Sequence, residues 1–183
     1  MALILSAHPN IEISISNKTI LQQLEQSGLE IEVRDLSRLY PHFEIDVEAE
    51  QAALQRHSTI VFQYPFYWYN MPAILKHWFD KVLTYQFAYG SKGDKLKGRN
   101  FLASFTVGAP ETGYKTLADH HFRVLEFCKN IEQTAYYAQM NYIDPIFTYG
   151  HSVNAGIAAT EITAKAEQHA QKLIAQLELL GRC

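Results

Sequence analysis

Residues 2–7 have the sequence Ala-Leu-Ile-Leu-Ser-Ala, an apolar run without polar alternation. Such a run predicts a strand covered on both faces, as in a parallel sheet. Further strand patterns follow at residues 29–35, 59–64, 101–107 and 141–149, and helical patterns separate them. The alternating polarity of residues 29–35 places that strand near a sheet edge. This alternation of strands and helices predicts an α/β fold, a five-stranded parallel sheet with helices on both faces.

The predicted helices begin at residues that commonly cap helices. The candidate caps are Ser14, Ser16, Asn17, Asp46 and Asn70. A further helix is predicted over residues 116–131, with Phe122, Leu125 and Cys128 on its apolar side. That position makes Cys128 a core residue rather than a nucleophile. A long last helix is predicted from residue 160.

The composition is that of one globular domain spanning residues 1–183, with 48% hydrophobic and 19% charged residues. The net charge of −3 offers no basic field for nucleic acid. With only Cys128 and Cys183, a disulfide scaffold is excluded and a reducing compartment is expected. No signal peptide and no apolar run of membrane-spanning length is recognised, so we expect a cytoplasmic protein.

Three loops deserve inspection as candidate sites, because ligands of parallel sheets bind beyond the carboxyl ends of the strands. They are residues 8–17, 65–70 and 107–121. The first combines His8 with the hydroxyls of Ser14 and Ser16 at a helix start. Two interpretations stay open for these residues: simple helix capping, or binding of a phosphate group by free N–H groups and the helix dipole. The P-loop and G-x-G-x-x-G motifs are both absent.

The second loop is unusually aromatic: Tyr64-Pro-Phe-Tyr-Trp-Tyr69 holds five rings in six residues. They could form a core cluster beneath the loop. We favour a flat ligand that stacks on the loop and meets its backbone amides, since helices already fill the core.

The third loop, Thr106-Val-Gly-Ala-Pro-Glu-Thr-Gly-Tyr114, has small residues that let a planar ligand approach the backbone. Tyr114 and His120 follow near the predicted helix start, where surface or capping roles would be ordinary. The neighbouring His120 and His121 lack the spacing of metal ligands, and no metal is predicted. A phosphate site beside a flat aromatic pocket points to a bound flavin.

Several stretches together resemble the flavodoxin-like NAD(P)H:quinone oxidoreductases. They are Ala7-His-Pro9, Ser14-x-x-Asn17, Tyr67-Trp-Tyr-Asn-Met-Pro-Ala-Ile-Leu-Lys76, Trp78-Phe-Asp-Lys-Val82 and Phe87-Ala-Tyr-Gly90. The similarity covers residues 2–180. It is strongest to the short bacterial branch, which includes the ancillary proteins of glutathione-gated potassium-efflux systems.

The resemblance implies a strand order of 2-1-3-4-5 and a homodimer with flavin sites at the interface. It also implies two-electron transfer from NADH or NADPH to quinones or similar flat electrophiles by a ping-pong hydride mechanism. The residues it assigns to flavin binding are His8, Ser14, Ile15, Ser16, Asn17, Phe66, Tyr67, Trp68, Tyr69, Thr106, Val107, Gly108 and Ala109. Tyr114 and His120 correspond to residues that stabilise charge during hydride transfer.

One departure from the family pattern falls in the third loop, where Thr-Thr-Gly-Gly is replaced by Thr106-Val-Gly-Ala109. Side-chain contacts to the flavin would change there, whereas backbone contacts would not. We expect FMN rather than FAD, because the chain lacks the long C-terminal extension of the animal enzymes.

The alternative function is a regulatory subunit of a membrane potassium-efflux antiporter, bound peripherally at the inner face of the membrane. An electron-carrier flavodoxin is disfavoured by the modest net charge and the aromatic loop.

Overall fold

The computed structural model describes residues 1–181; Cys183 lies outside them. Within that range five parallel strands form one sheet in the order β2-β1-β3-β4-β5. The strands are β1 Ala2–Ser6, β2 Ile31–Asp35, β3 Thr59–Pro65, β4 Asn100–Val107 and β5 Asn141–Tyr149. This confirms the predicted flavodoxin-like α/β fold and its strand order.

Burial along the strands follows their place in the sheet. Every residue of β1 and β3 is buried, whereas β2 is half-buried along its length. The edge position predicted for β2 is therefore confirmed. Pro145 lies in the other edge strand, β5, where the pairing with β4 shifts register between Leu102 and Ser104. An edge strand tolerates proline because one side of it needs no ladder hydrogen bonds.

Helices cover both faces of the sheet. Their bounds are α1 Ile15–Gln26, α2 Leu36–Leu39, α3 Val47–Arg56, α4 Ala73–Val82, α5 Lys129–Tyr137 and α6 Ala159–Gly181. On one face, α1 and α6 pack Ile20 and Leu173 against Ile4. On the other, the larger core cluster includes Trp78 of α4 and Ile131 of α5. Among residues 1–181, no helix combines the length and hydropathy needed to cross a membrane.

The predicted helix starts are partly confirmed. Ser14 caps α1 by accepting a hydrogen bond from the Asn17 amide at 3.1 Å, and Asp46 caps α3 in the same way through the Ala49 amide at 3.0 Å. Asn70 as the cap of the next helix is wrong. Its side chain accepts from the adjacent Met71 amide, and α4 begins at Ala73, after Pro72.

The helix predicted over residues 116–131 is also wrong. Leu117 and His121 have φ of 68° and 56°, a left-handed conformation that interrupts a right-handed helix. A short 3-10 turn, Val124–Cys128, precedes α5. Phe122 and Leu125 are therefore more than half exposed instead of facing the core. Cys128 is buried, as predicted.

One buried carboxylate joins α3 to its neighbours. Glu50 has no exposed surface and accepts hydrogen bonds from Arg34 Nε at 2.9 Å and Tyr40 Oη at 2.6 Å. Its second oxygen accepts from the Trp78 indole N–H at 2.8 Å. Because a charge removed from water must be compensated, this set of partners ties β2, α3 and α4 together.

Candidate functional site

A cavity of about 420 Å³ lies beyond the carboxyl ends of the central strands, where the three inspected loops meet. Nine of the predicted flavin-binding residues line it: His8, Ser14, Ile15, Ser16, Asn17, Phe66, Tyr67, Thr106 and Gly108. Residues 151–154, which follow β5, complete the wall. A second cleft, of about 480 Å³, lies between α4 and α5, away from the strand ends. We assign the site to the first because the hydrogen-bond donors converge there.

The start of α1 supplies donors suited to an anion. The first N–H groups of a helix have no partner within it, and the helix dipole favours negative charge at that end. The Asn17 amide is satisfied by Ser14 Oγ, and Ile15 and Ser16 lie at the first turn beside the cavity. Since Ser14 Oγ accepts that bond, its own hydrogen stays available for a ligand. Capping and anion binding are thus compatible here.

Asn17 lines the cavity but is almost completely buried, and its side chain bonds to residues of the sheet. Its Nδ2 donates to Thr106 Oγ1 at 3.1 Å, and its Oδ1 accepts from Gln63 Nε2 at 2.8 Å. Gln63 Oε1 in turn accepts from Ser104 Oγ at 2.6 Å. Thr106, like Ser14, accepts a bond and retains its own hydrogen for a ligand. Both side chains therefore present donors to the cavity.

The buried hydrogen-bond network continues through two histidines. Ser104 Oγ lies 2.7 Å from His169 Nε2, and His169 Nδ1 lies 2.9 Å from Thr148 Oγ1. Thr148 Oγ1 is 2.6 Å from His151 Nε2, and His151 Nδ1 is 2.7 Å from Ser16 Oγ. The network thus begins at Thr106 in the cavity wall, continues through buried residues of the sheet and α6, and ends at Ser16, which lines the same cavity.

Both histidines of the network are neutral at pH 7. Burial, with a smaller contribution from Lys165, lowers the pKa of His151 to about 4. Burial also lowers the pKa of His169 to about 3, and the charges of His151 and Lys172 act in the same direction. A neutral imidazole donates through one nitrogen and accepts through the other, so each tautomer follows from its neighbours.

Sequence reasoning missed the interior of this network. Gln63 and Ser104 are polar residues that are themselves fully buried inside the strands β3 and β4, and His169 lies on the buried side of α6. A polar residue in a buried strand needs a partner, which is the signal that could have found them. His151 lies two residues after the last strand, which ends at Tyr149, at the carboxyl end of the sheet where the site was expected.

His8 also lines the cavity and is almost completely buried. Burial lowers its pKa, and its Nδ1 accepts a hydrogen bond from the Asn10 amide at 3.1 Å. The ring hydrogen is therefore on Nε2. His8 is a hydrogen-bond donor in its neutral form.

The aromatic loop divides into a buried and an exposed part. Tyr64 and Phe66 both stack on Phe105. Tyr64 is part of the core, as the simpler interpretation proposed, whereas Phe66 is half-buried and packs against the core from the cavity side. Tyr67 and Trp68 are exposed, Trp68 to 91%. The first part of the loop thus packs on the core, and the second part presents its rings to solvent.

A tight reverse turn holds the exposed rings. The amides and carbonyls of Tyr67 and Asn70 are paired reciprocally at 2.9 Å. Trp68 and Tyr69 between them have φ of 47° and 64°, which corresponds to a turn of type I′. Asn and Gly normally occupy these positions, so two aromatic residues there carry backbone strain. The Phe66 amide donates to the Thr106 carbonyl at 2.9 Å and anchors the turn beside β4.

Tyr114 and His120 lie together in the third loop, with ring centroids 4.2 Å apart and planes inclined by 18°. Tyr69 Oη lies 3.3 Å from His120 Nδ1, which joins the second loop to this pair. Burial raises the pKa of Tyr114 to about 12, so its phenol stays protonated at neutral pH. A Cβ on Gly113 would lie 3.0 Å from His120 Cδ2, so this glycine makes room for the ring.

The remaining predicted residues do not line the cavity. Val107 is buried in the core and Ala109 is packed against it. Trp68, Tyr69, Tyr114 and His120 lie in the loops around the cavity instead. The hydroxyl lost at Val107 relative to the family pattern would therefore fall in the apolar core.

Comparison with known proteins gives the family. The profile of a family described as having a flavodoxin-like fold matches residues 1–174. An NAD(P)H oxidoreductase of Bacillus subtilis, YrkL, is 42% identical over 148 residues, which are 81% of this chain and 84% of the relative. The glutathione-regulated potassium-efflux ancillary protein KefF of Salmonella dublin is 39% identical over 98% of both chains. The crystal structure of general stress protein 14 of Treponema denticola, in complex with FMN, superposes with a TM-score of 0.85 and 36% identity. The superposition covers 95% of this chain and 98% of the Treponema denticola chain.

Proposed function

The chain belongs to the flavodoxin-like fold family, and we propose that it is an FMN-dependent NAD(P)H oxidoreductase that reduces quinones or similar flat electrophiles. The observation that carries the proposal is the convergence of donors at the start of α1 with an aromatic turn at the same cavity. The FMN complex of the Treponema denticola relative supports this choice of cofactor. The name of the Bacillus subtilis relative supports the choice of electron donor.

The residues fit the two chemically different ends of a flavin mononucleotide. The Ser14 and Thr106 hydroxyls and the first turn of α1 would hold the phosphate. The two hydroxyls accept hydrogen bonds from Asn17, so their own hydrogens are available to donate to phosphate oxygens. The turn at residues 66–69 and the backbone of residues 106–109 would hold the ring. When bound, FMN accepts a hydride from NADH or NADPH and passes two electrons to the acceptor, in the ping-pong order we propose.

Tyr114 and His120 are the proposed catalytic residues. Negative charge builds on a flavin ring as it receives a hydride, and a positioned donor lowers that barrier. Tyr114 keeps its proton at neutral pH and can donate a hydrogen bond. His120 stacks on it and can exchange a proton with the acceptor or with water.

We propose a two-fold symmetric homodimer in which both chains contact each flavin. Large apolar side chains are exposed in the loops around the site, at Trp68 and Leu117, and just after the third loop, at Phe122 and Leu125. Contiguous exposed apolar surface is typical of an interface, and a two-fold dimer is the commonest closed assembly.

The second candidate function is that of an ancillary subunit of a potassium-efflux antiporter. The end-to-end similarity to the potassium-efflux ancillary protein of Salmonella dublin favours it specifically. The protein would then be cytoplasmic and bind the inner face of the membrane through the antiporter. Both functions are compatible in one chain.

One preparation tests the main proposal. The purified full chain is expected to be yellow, to release FMN on denaturation and to reduce menadione with NADH or NADPH. A colourless protein that takes up neither FMN nor FAD would contradict it, and release of FAD would contradict the choice of flavin. For the second candidate, efflux of potassium through a co-expressed antiporter from the same genome is measured with and without this chain. No change in efflux would contradict the ancillary role.

A further inference from the structure

The directions of the hydrogen bonds in the buried network can be deduced one by one. Gln63 Oε1 is a carbonyl oxygen and can only accept, so Ser104 donates its single hydrogen to it. Ser104 therefore has only lone pairs left for His169. It follows that His169 Nε2 carries a hydrogen and donates it to Ser104.

The same reasoning continues to the cavity. Neutral His169 has no hydrogen on Nδ1, so Thr148 donates to it, and His151 Nε2 must donate to Thr148. Neutral His151 then has a bare Nδ1, which accepts the hydrogen of Ser16. Ser16 is thus committed to His151 and turns only lone pairs toward the cavity. That polarity is wrong for a phosphate, in contrast to the free hydrogens of Ser14 and Thr106.

We propose that a phosphate group binds at the start of α1 together with one proton, which His151 takes up on Nδ1. This inference rests on the proposed FMN function. Protonated His151 donates from both nitrogens, to Thr148 and to Ser16, and the Ser16 hydrogen is released to a phosphate oxygen. The proton comes from solvent, and every other hydrogen bond of the network keeps its direction.

The charges around His151 explain why the proton arrives with the anion. On α6, Lys165 disfavours the protonated form, although it is paired with Glu161 at 2.8 Å. Also on α6, His169 is hydrogen-bonded to Thr148, which is bonded to His151, and the charge of Lys172 lowers the pKa of His169. The first turn of α1 contributes only neutral side chains to the cavity. Without an anion these surroundings keep His151 neutral, and a phosphate dianion reverses the balance.

His8, which also lines the cavity, provides the internal contrast. Its Nδ1 is satisfied by the Asn10 amide, so Nε2 already carries a hydrogen. His8 can donate to a ligand without taking up a proton. The structure therefore assigns the proton to His151 and not to the other histidine of the cavity wall.

The test is calorimetric titration of FMN into the flavin-free full chain, in two buffers of different ionisation enthalpy. At about pH 6.5 we expect the wild-type chain to take up on the order of half a proton or more relative to His151→Asn. The Asn amide nitrogen can occupy the place of Nδ1 and donate to Ser16 permanently. Ionisation of the FMN phosphate itself cancels in this difference. Riboflavin, which lacks the phosphate, should show no difference between the two proteins.

The pH dependence gives a second readout with a definite sign. The pKa of His151 is about 4 without ligand and is raised by the bound anion, so affinity for FMN should rise as pH falls through the bound-state pKa. The limiting slope is about tenfold in affinity per pH unit for one linked proton. His151→Asn should flatten this dependence, and Ser16→Ala should remove the extra proton uptake while keeping His151. His8→Asn should weaken binding and retain the uptake.

Equal proton uptake in wild type and His151→Asn would overturn the inference, as would loss of the uptake in His8→Asn alone. In both cases FMN still binds, and the proposed function stands. Failure of the wild-type chain to bind FMN at any pH would instead overturn the proposed function together with this inference.

Discussion

The imidazole of His120 lies nearly parallel to the phenol ring of Tyr114, 4.2 Å from it between centroids. Tyr69 Oη lies 3.3 Å from Nδ1 of the same imidazole. A buried phenol, an imidazole and a second phenol are thus linked across two loops. The Tyr114 phenol and the His120 imidazole can therefore each be tested by its own substitution.

Tyr114→Phe and His120→Gln are each expected to slow reduction of the flavin by NADH or NADPH about 10- to 100-fold, a loss of about 1.4–2.7 kcal/mol. Tyr114→Phe removes the phenol donor, and His120→Gln removes the imidazole that can exchange a proton. Stopped-flow bleaching of the flavin absorbance measures the rate. Flavin content should match wild type, because phosphate and ring contacts come from other residues. Unchanged reduction rates in both variants would refute a catalytic role.

Ser14→Ala removes both a helix cap and a donor to the cavity. We expect a loss of about 1 kcal/mol in the free energy of unfolding and a roughly tenfold weaker affinity for FMN. Asp46→Ala is the matched control, since it removes the equivalent cap of α3 away from the cavity. It should lower stability similarly and leave FMN affinity unchanged. Equal FMN affinity in both variants would contradict the anion-binding role of Ser14.

Glu50→Ala leaves the partly buried Arg34 guanidinium without its main partner. We expect the free energy of unfolding to fall by about 3–5 kcal/mol, measured by urea denaturation of the flavin-free protein. Lys76→Ala, which breaks an exposed pair with Asp80 on α4, should cost less than about 1 kcal/mol. A similar small loss in both variants would mean that solvent reaches and compensates Arg34.

The proposed dimer is tested by charge placed on its exposed apolar residues. Phe122→Glu combined with Leu125→Glu should convert a dimer into a monomer by light scattering at micromolar concentration, because each carboxylate would have to be desolvated. Leu39→Glu, on α2, alters a comparably exposed leucine outside the proposed interface and should leave the dimer intact. A wild-type chain that is monomeric while binding FMN tightly would contradict the shared site.

The sequence was sufficient for the sheet because its central strands carry a signal that needs no tertiary context. β1 and β3 are apolar without alternation, and burial on both faces is the physical cause of that pattern. The same reasoning gave a wrong prediction for residues 116–131. Its apolar spacing fits a helix, but left-handed residues at Leu117 and His121 break the chain into turns.

The candidate site was predictable to the extent that it is local in sequence. The Ser14 cap and the loops at the strand ends were recognised, since each is contained in a few consecutive residues. The bond from Ser16 to His151 spans 135 positions and arises only when β5 and α6 close beside α1. No spacing rule on a single chain identifies such a pair, although the polar Gln63 and Ser104 inside buried strands indicated that partners existed.

The turn at Trp68 and Tyr69 has a thermodynamic consequence of its own. Each non-glycine residue held in the left-handed region costs on the order of 1 kcal/mol or more. Replacing the two residues by Asn-Gly would thus stabilise the isolated chain, and the native sequence forgoes that gain. A ligand or partner chain that covered Trp68 would therefore recover stability that the lone chain gives up.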